Sequence, residues 1–192
     1  MKLLASAAVI AAMAGVAQAT IYFSDFESND GGLSGSGDWE YGSPNGFAGA
    51  PFGGAEPIGG NSGDFAWGTV IGGAHNPALT SKLTLAGLDL TNATELRYFE
   101  FLDSGGNTFD MAKVFVGATE VSLRDGGPTN GWREVVIDLT GFSGVQNITW
   151  DFTTTTVVER VGWYIDDVAV IPAPGAAAVM GLAGLAAVRR RR

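Results

Sequence analysis

Cysteine is absent from all 192 residues, and histidine occurs once, at His75. The first absence excludes a disulfide framework, a thiol nucleophile, a cysteine zinc site and a lipoprotein anchor together. The second leaves a Ser–His–acid hydrolase a single base, and no Gly-x-Ser-x-Gly elbow stands between a strand and a helix to serve it. His75 falls in the stretch Gly72-Gly-Ala-His-Asn-Pro77 and reads as a solvated loop residue. Helical periodicity is also missing from the middle of the chain, where no apolar run at helical spacing exceeds two turns. Gly53-Gly54 and Gly59-Gly60 are not followed by the Lys and Ser/Thr of a phosphate loop, which argues against nucleotide binding.

Positive charge is scarce between the ends. Six bases, Lys82, Arg97, Lys113, Arg124, Arg133 and Arg160, stand there with all twenty Asp and Glu, a balance of −14 against −9 for the whole chain. A body this acidic repels nucleic acid and anionic lipid and suits divalent cations.

Both ends are apolar. Lys2 precedes an uncharged run from Leu3 to Val16, and Ala17-Gln18-Ala19 has the small-x-small form of a signal peptidase site, so residues 1–19 read as a signal peptide. At the other end, thirteen uncharged residues from Ala176 to Val188 precede Arg189, Arg190, Arg191 and Arg192. As a helix that run measures about 20 Å against a hydrocarbon core of about 30 Å, a marginal span. The arginines are expected to stay on the cytoplasmic face of the inner membrane and leave the folded part outside. Pro172-Ala173-Pro174-Gly175, followed by the apolar run and the arginines, resembles the PEP-CTERM sorting signal of exosortase substrates, with Ala173 where that signal has glutamate. The resemblance implies that a membrane enzyme of the exosortase type removes segment 172–192. It also implies that the protein is then released to the cell surface or extracellular matrix.

Residues 20–171 are expected to form one domain. Short runs rich in Val, Ile, Thr and aromatics recur at 21–24, 65–71, 79–85, 95–102, 111–117, 120–124, 132–139, 147–153 and 162–171, between Gly, Asn, Asp and Pro clusters. This pattern predicts an all-β, two-layer antiparallel sandwich of jelly-roll type, flanked by the signal helix and the carboxy-terminal apolar helix. Val135, Ile137 and Leu139 alternate with Glu134, Val136 and Asp138, as in a strand with one buried face. The stretch from Gly31 to Gly63 is rich in glycine and proline and reads as long ordered loops.

Asp25-Phe26-Glu27-Ser28, Asp38-Trp39-Glu40-Tyr41-Gly42, Asn61-Ser62-Gly63, Trp67-Gly68-Thr69, Gly131-Trp132-Arg133 and Gly162-Trp163-Tyr164-Ile165-Asp166-Asp167-Val168 succeed one another in order. The set resembles choice-of-anchor J and MAM-like jelly-roll domains. That resemblance implies a non-catalytic extracellular sandwich, related in shape to concanavalin-like folds and carbohydrate-binding modules, with no single ligand.

Period-two alternation places Asp166 on one face with Val168 and Val170 and buries its carboxylate. A buried carboxylate needs a cation, a basic partner such as Arg160, or backbone donors. Glu27, Asp30, Ser62, Asp166 and Asp167 are the candidate ligands of one structural calcium, which takes six to eight oxygens at flexible distances. Trp150 and Trp163 are expected in the core, and Trp39, Tyr41 and Phe47 are the candidates for an exposed sugar-stacking platform. The expected function is a secreted, surface-sorted, non-enzymatic module that binds an extracellular glycan or matrix component. A matrix-assembly protein without a defined pocket and a small carbohydrate-active enzyme are the alternatives.

Overall fold

The computed structural model of the chain describes residues 20–106, 108–124 and 128–173. The expected signal peptide at 1–19 lies outside these residues, as does the expected tail from Pro174 and Gly175 through Arg189 to Arg192. Pro172 ends the last strand.

Eleven strands and no helix are present among the described residues. One antiparallel sheet holds β1 (Tyr22–Ser24), β3 (Trp39–Gly42), β4 (Ala66–Thr69), β6 (Ala93–Asp103), β9 (Arg133–Asp138) and β11 (Gly162–Pro172). The other holds β2 (Ser34–Ser36), β5 (Thr80–Asp89), β7 (Asp110–Val116), β8 (Thr119–Arg124) and β10 (Val145–Thr154). The first runs β3-β4-β11-β6-β9 with β1 also on β11, and the second runs β2-β5-β10-β7-β8. The expected two-layer sandwich is thus formed.

Alternation decides which side chains fill the space between the sheets. In β9, Val135 and Ile137 are buried while Glu134, Val136 and Asp138 face water, as their pattern requires. Leu96, Tyr98 and Leu102 of β6 meet Ile148, Trp150 and Phe152 of β10 in the core. Tyr98 and Trp150 pack edge to face at 5.6 Å. Truncating a side chain such as Trp150, which is fully buried, to alanine costs about 3–5 kcal/mol.

Two strands lie where the sequence reads loop. Ser34-Gly35-Ser36 offers no apolar side chain to signal β2, yet it pairs with β5. Gly35 faces inward, and a Cβ there would stand 2.5 Å from the Trp39 carbonyl oxygen and 2.7 Å from the Trp67 ring. The residue the fold requires at this point is therefore the one that carries least strand signal. Strand β3, paired with β4, carries Trp39 into the core at 5% exposure, its ring 5.6 Å from Trp163. That corrects the expectation of an exposed Trp39.

His75 is likewise corrected from solvated to buried. Its ring meets the edge of Phe152 at 5.4 Å, and its Nε2 accepts the Arg160 N–H at 3.1 Å. Backbone atoms of the same two residues bond in the opposite sense, His75 N–H to Arg160 carbonyl at 2.9 Å.

Candidate functional site

Strand β11 pairs on one edge with β4 at Tyr164 and Ile165 and with β1 from Val168 to Val170. Residues 166 and 167 fall between these short partners. A bulge in the β11–β6 register occurs at the same point, with Asp167 in the left-handed region at φ 50°. A bulge adds a residue and reverses the facing of the strand beyond it. Trp163 and Ile165 before it, and Val168 and Val170 after it, all reach the core. Asp166 therefore does not share the face of Val168 and Val170: it is buried on the opposite side, beneath the loop at residues 59–65.

That loop is held by three acids. Asp166 Oδ2 accepts the N–H groups of Asn61 at 2.6 Å and Ser62 at 3.0 Å, and its Oδ1 accepts the Asp167 N–H at 2.7 Å. Asp167 accepts the Ser62 hydroxyl and the Asn61 side-chain amide, both at 2.7 Å. Glu27 Oε1 accepts the N–H groups of Asp64 and Phe65 at 2.9 Å. Gly63 packs on Glu27 at φ 67°, where a Cβ would fall 2.1 Å from the carboxylate carbon. Burial, with the neighbouring Asp167 charge, pushes the Asp166 carboxyl up to about 7, against the pull of its N–H donors.

Four of the five expected cation ligands, Glu27, Ser62, Asp166 and Asp167, thus converge on one loop. Asp30 stands apart in role: its side chain caps the Gly32 N–H at 2.9 Å and its carbonyl accepts the Trp67 indole N–H at 3.0 Å. Arg160 pairs with Asp103 at 2.9 Å, so of the partners considered for Asp166 it is backbone donors that the fold supplies. Among the described residues, no group of three or more His, Cys, Asp or Glu is arranged to hold a metal.

The expected aromatic platform is not assembled. Trp39 is in the core. Tyr41 packs against the core, stacks on Phe65 at 5.6 Å and donates its hydroxyl to the Phe26 carbonyl at 2.6 Å. Partial burial and the nearby charges of Glu27 and Asp30 raise the pKa of that hydroxyl. Phe47 is half-buried and folds over Gly49 on its own loop.

The other buried acids are engaged as well. Glu100 accepts from Arg124, Arg133 and the Trp163 indole. Glu56 joins the Asn45 and Gly72 N–H groups to the Tyr164 hydroxyl. Asp38 holds Asn76 through its backbone and side-chain amides. Asp110 accepts the Gly105 N–H.

The outer side of the five-stranded sheet carries the surface that the sequence did not single out. Thr80, Lys82 and Thr84 of β5, Thr149, Asp151 and Thr153 of β10, and Met111, Lys113 and Phe115 of β7 alternate with buried residues and point outward. Register aligns Ser36, Lys82, Asp151, Lys113 and Leu123 in a middle row across the strands. Ser34, Thr84, Thr149, Phe115 and Glu120 form a second row, and Thr80, Thr153 and Met111 a third. At a strand spacing of about 4.8 Å, the middle row spans about 19 Å.

Lys82 Nζ lies 3.4 Å from Asp151 and Lys113 Nζ 2.8 Å from Glu120. The Thr153 hydroxyl donates to Asp151 at 3.1 Å and so accepts from Thr80, also at 3.1 Å. Hydroxyls therefore gather on β2, β5 and β10, and the apolar Met111, Phe115 and Leu123 on β7 and β8. The face offers donors, acceptors and apolar contact side by side.

No protein-family model and no curated protein matches the sequence. Among solved structures, the module TmCBM61 in complex with β-1,4-galactotriose superposes with a TM-score of 0.53 at 12% identity, over 78% of this chain and 94% of that one. The K2 cleaved adhesin domain of Lys-gingipain gives 0.49 at 16% identity, over 78% and 98%. The CBM22-1 xylan-binding domain from Paenibacillus barcinonensis gives 0.47 at 12% identity, over 83% and 97%. The first of these likenesses shows a shared sandwich fold.

Proposed function

We propose that the chain is a non-catalytic glycan-binding module that holds its ligand on the outer face of the five-stranded sheet. The observation that carries this reading is the three-row face itself, where Phe115 and Met111 flank Lys113 along one strand and the threonines and Asp151 lie on the next. A sugar ring has an apolar C–H face and a rim of hydroxyls. The first packs on Phe115 or Met111, and the second exchanges hydrogen bonds with Thr149, Asp151 and Lys113. The sandwich shared with a galactotriose-bound module supports the reading at the level of fold. Catalysis is not part of it, because the buried acids hold loops and sheets together and His75 is sealed in the core.

The reading includes export, transient anchoring by segment 172–192, trimming by an exosortase-like enzyme and display at the cell surface or in the matrix. It also includes one calcium ion at the loop of residues 59–65. The donors there are all oxygen, and the described ion pairs bring no Lys or Arg to Glu27, Asp166 or Asp167. Calcium commonly completes its shell with loop carbonyls and water, so fewer than three protein carboxylates suffice. Glu27 and Asp167, with Ser62, would hold it, and its charge would offset the clustered acids.

A panel of soluble and immobilised glycans, offered to the full chain with and without calcium, tests the proposal. Binding that is lost in Phe115→Ala with folding retained supports it. Glycan binding that Phe115→Ala leaves untouched moves the site elsewhere, and no binding to any glycan sinks the function.

A further inference from the structure

The two lysines of the proposed face are both paired. Lys82 is 55% exposed beside Asp151 at 15%, and Lys113 is 29% exposed beside Glu120 at 40%. Pairs this exposed add little to stability, so their consequence is electrostatic. Two of the six bases in the body lie on this face, and they meet two acids there. The face is locally neutral within a body whose balance is −14.

An anionic glycan approaching it meets no uncompensated cation, and the surrounding field repels it. To bind a uronate, Lys82 would have to leave Asp151, or Lys113 leave Glu120, and an acid would then face the ligand's own carboxylate. An uncharged chain incurs neither penalty: each ion pair still presents ammonium hydrogens and carboxylate lone pairs to hydroxyls. The Thr80–Thr153–Asp151 chain also orients one of those carboxylates.

We propose that Asp151 and Glu120 are specificity-determining residues that restrict the face to uncharged polysaccharide chains by neutralising Lys82 and Lys113. This inference rests on the glycan-binding reading above. It assigns the two acids a role in excluding ligands as well as contacting them.

The test compares the full chain with the double variant Asp151→Asn, Glu120→Gln against neutral glycans and polygalacturonate. Both substitutions keep side-chain shape and leave two free lysines on the face. Wild type is expected to bind a neutral glycan and not polygalacturonate. The variant is expected to gain polygalacturonate affinity by about tenfold or more, with the gain falling as salt is added. Wild-type binding to polygalacturonate overturns the inference by itself, whatever the variant does. A folded variant without any anionic gain overturns it, whatever becomes of neutral binding in that variant, and leaves the glycan-binding reading, which rests on wild type, intact. Absence of binding to every glycan by wild type overturns both.

Discussion

Glu100 joins the two sheets, and its removal has a calculable consequence. The residue sits on the inward face of β6 with no exposed surface. Its Oε1 accepts Arg124 Nη2 at 2.7 Å and Arg133 Nε at 2.8 Å, and its Oε2 accepts the Trp163 indole N–H at 3.0 Å. Arg124 belongs to the five-stranded sheet, whereas Glu100, Arg133 and Trp163 belong to the other. Glu100→Gln keeps the shape but turns an NH2 group toward donors and leaves the guanidinium pair without its counter-charge. Breaking a buried pair costs about 3–5 kcal/mol. The arginine side chains are 21% and 43% exposed, so they can turn to water, which places the loss near the low end, about 3 kcal/mol. For a domain of this size, that lowers Tm by roughly 6–12 °C. Urea unfolding of wild type and variant measures it, with the midpoint falling and the slope unchanged. Glu95→Gln, which weakens an exposed pair with Arg97, is the control and is expected to change stability by less than about 0.5 kcal/mol. A loss below about 1 kcal/mol for Glu100→Gln would refute the claim that this carboxylate ties the sheets together.

Calcium removal is expected to lower Tm, by about 2.7 kcal/mol of lost binding free energy if the ion was at a hundred times its Kd, as scanning calorimetry with and without chelator can read. An unchanged Tm would remove calcium from the account. Gly63→Ala forces a side chain into the space of the Glu27 carboxylate at a left-handed backbone position; faster hydrogen exchange at Asp64 and Phe65 is expected, and unaltered protection would argue against the acid-held loop. The Tyr22 hydroxyl, pushed up to about 12 mainly by burial, favours the neutral form in the folded state. The contribution of this group to stability should therefore be constant below pH 10 and fall as pH rises from 10 to 12. The raised Tyr41, Tyr98 and Tyr164 hydroxyls add in the same sense, and a profile level between pH 10 and pH 12 would contradict this.

Much of the sandwich was legible because most strands are long and alternate, as β9 and β10 do. Strand β2 was not, since Gly35 is selected by the Trp67 ring pressing on it rather than by any strand preference. Trp39 was misplaced for a related reason: the glycines around it suggest a loop, while β4 and Trp163 provide a strand partner and a core neighbour distant in sequence. The burial of Asp166 was legible and its direction was not, because the Asp166–Asp167 bulge reverses the facing that alternation predicts. Gathering of Glu27, Ser62, Asp166 and Asp167 around one loop could be inferred from residue type and from a closing strand lying beside an opening one. The outer face could not. Alternation marks Lys82, Lys113 and Asp151 as outward, but only register places Asp151 between the two lysines, and register depends on pairings that residue spacing does not encode.

The central claim is that a glycan lies on the outer face of the five-stranded sheet. Titrating the isotopically labelled full chain with a soluble neutral oligosaccharide, and tracking each amide by heteronuclear NMR, tests it most directly. The account predicts shift changes concentrated at residues 80–84, 111–115 and 149–153, moving together with one affinity. Changes confined to residues 45–54 and 70–77 would place the ligand at the loops instead and contradict the claim.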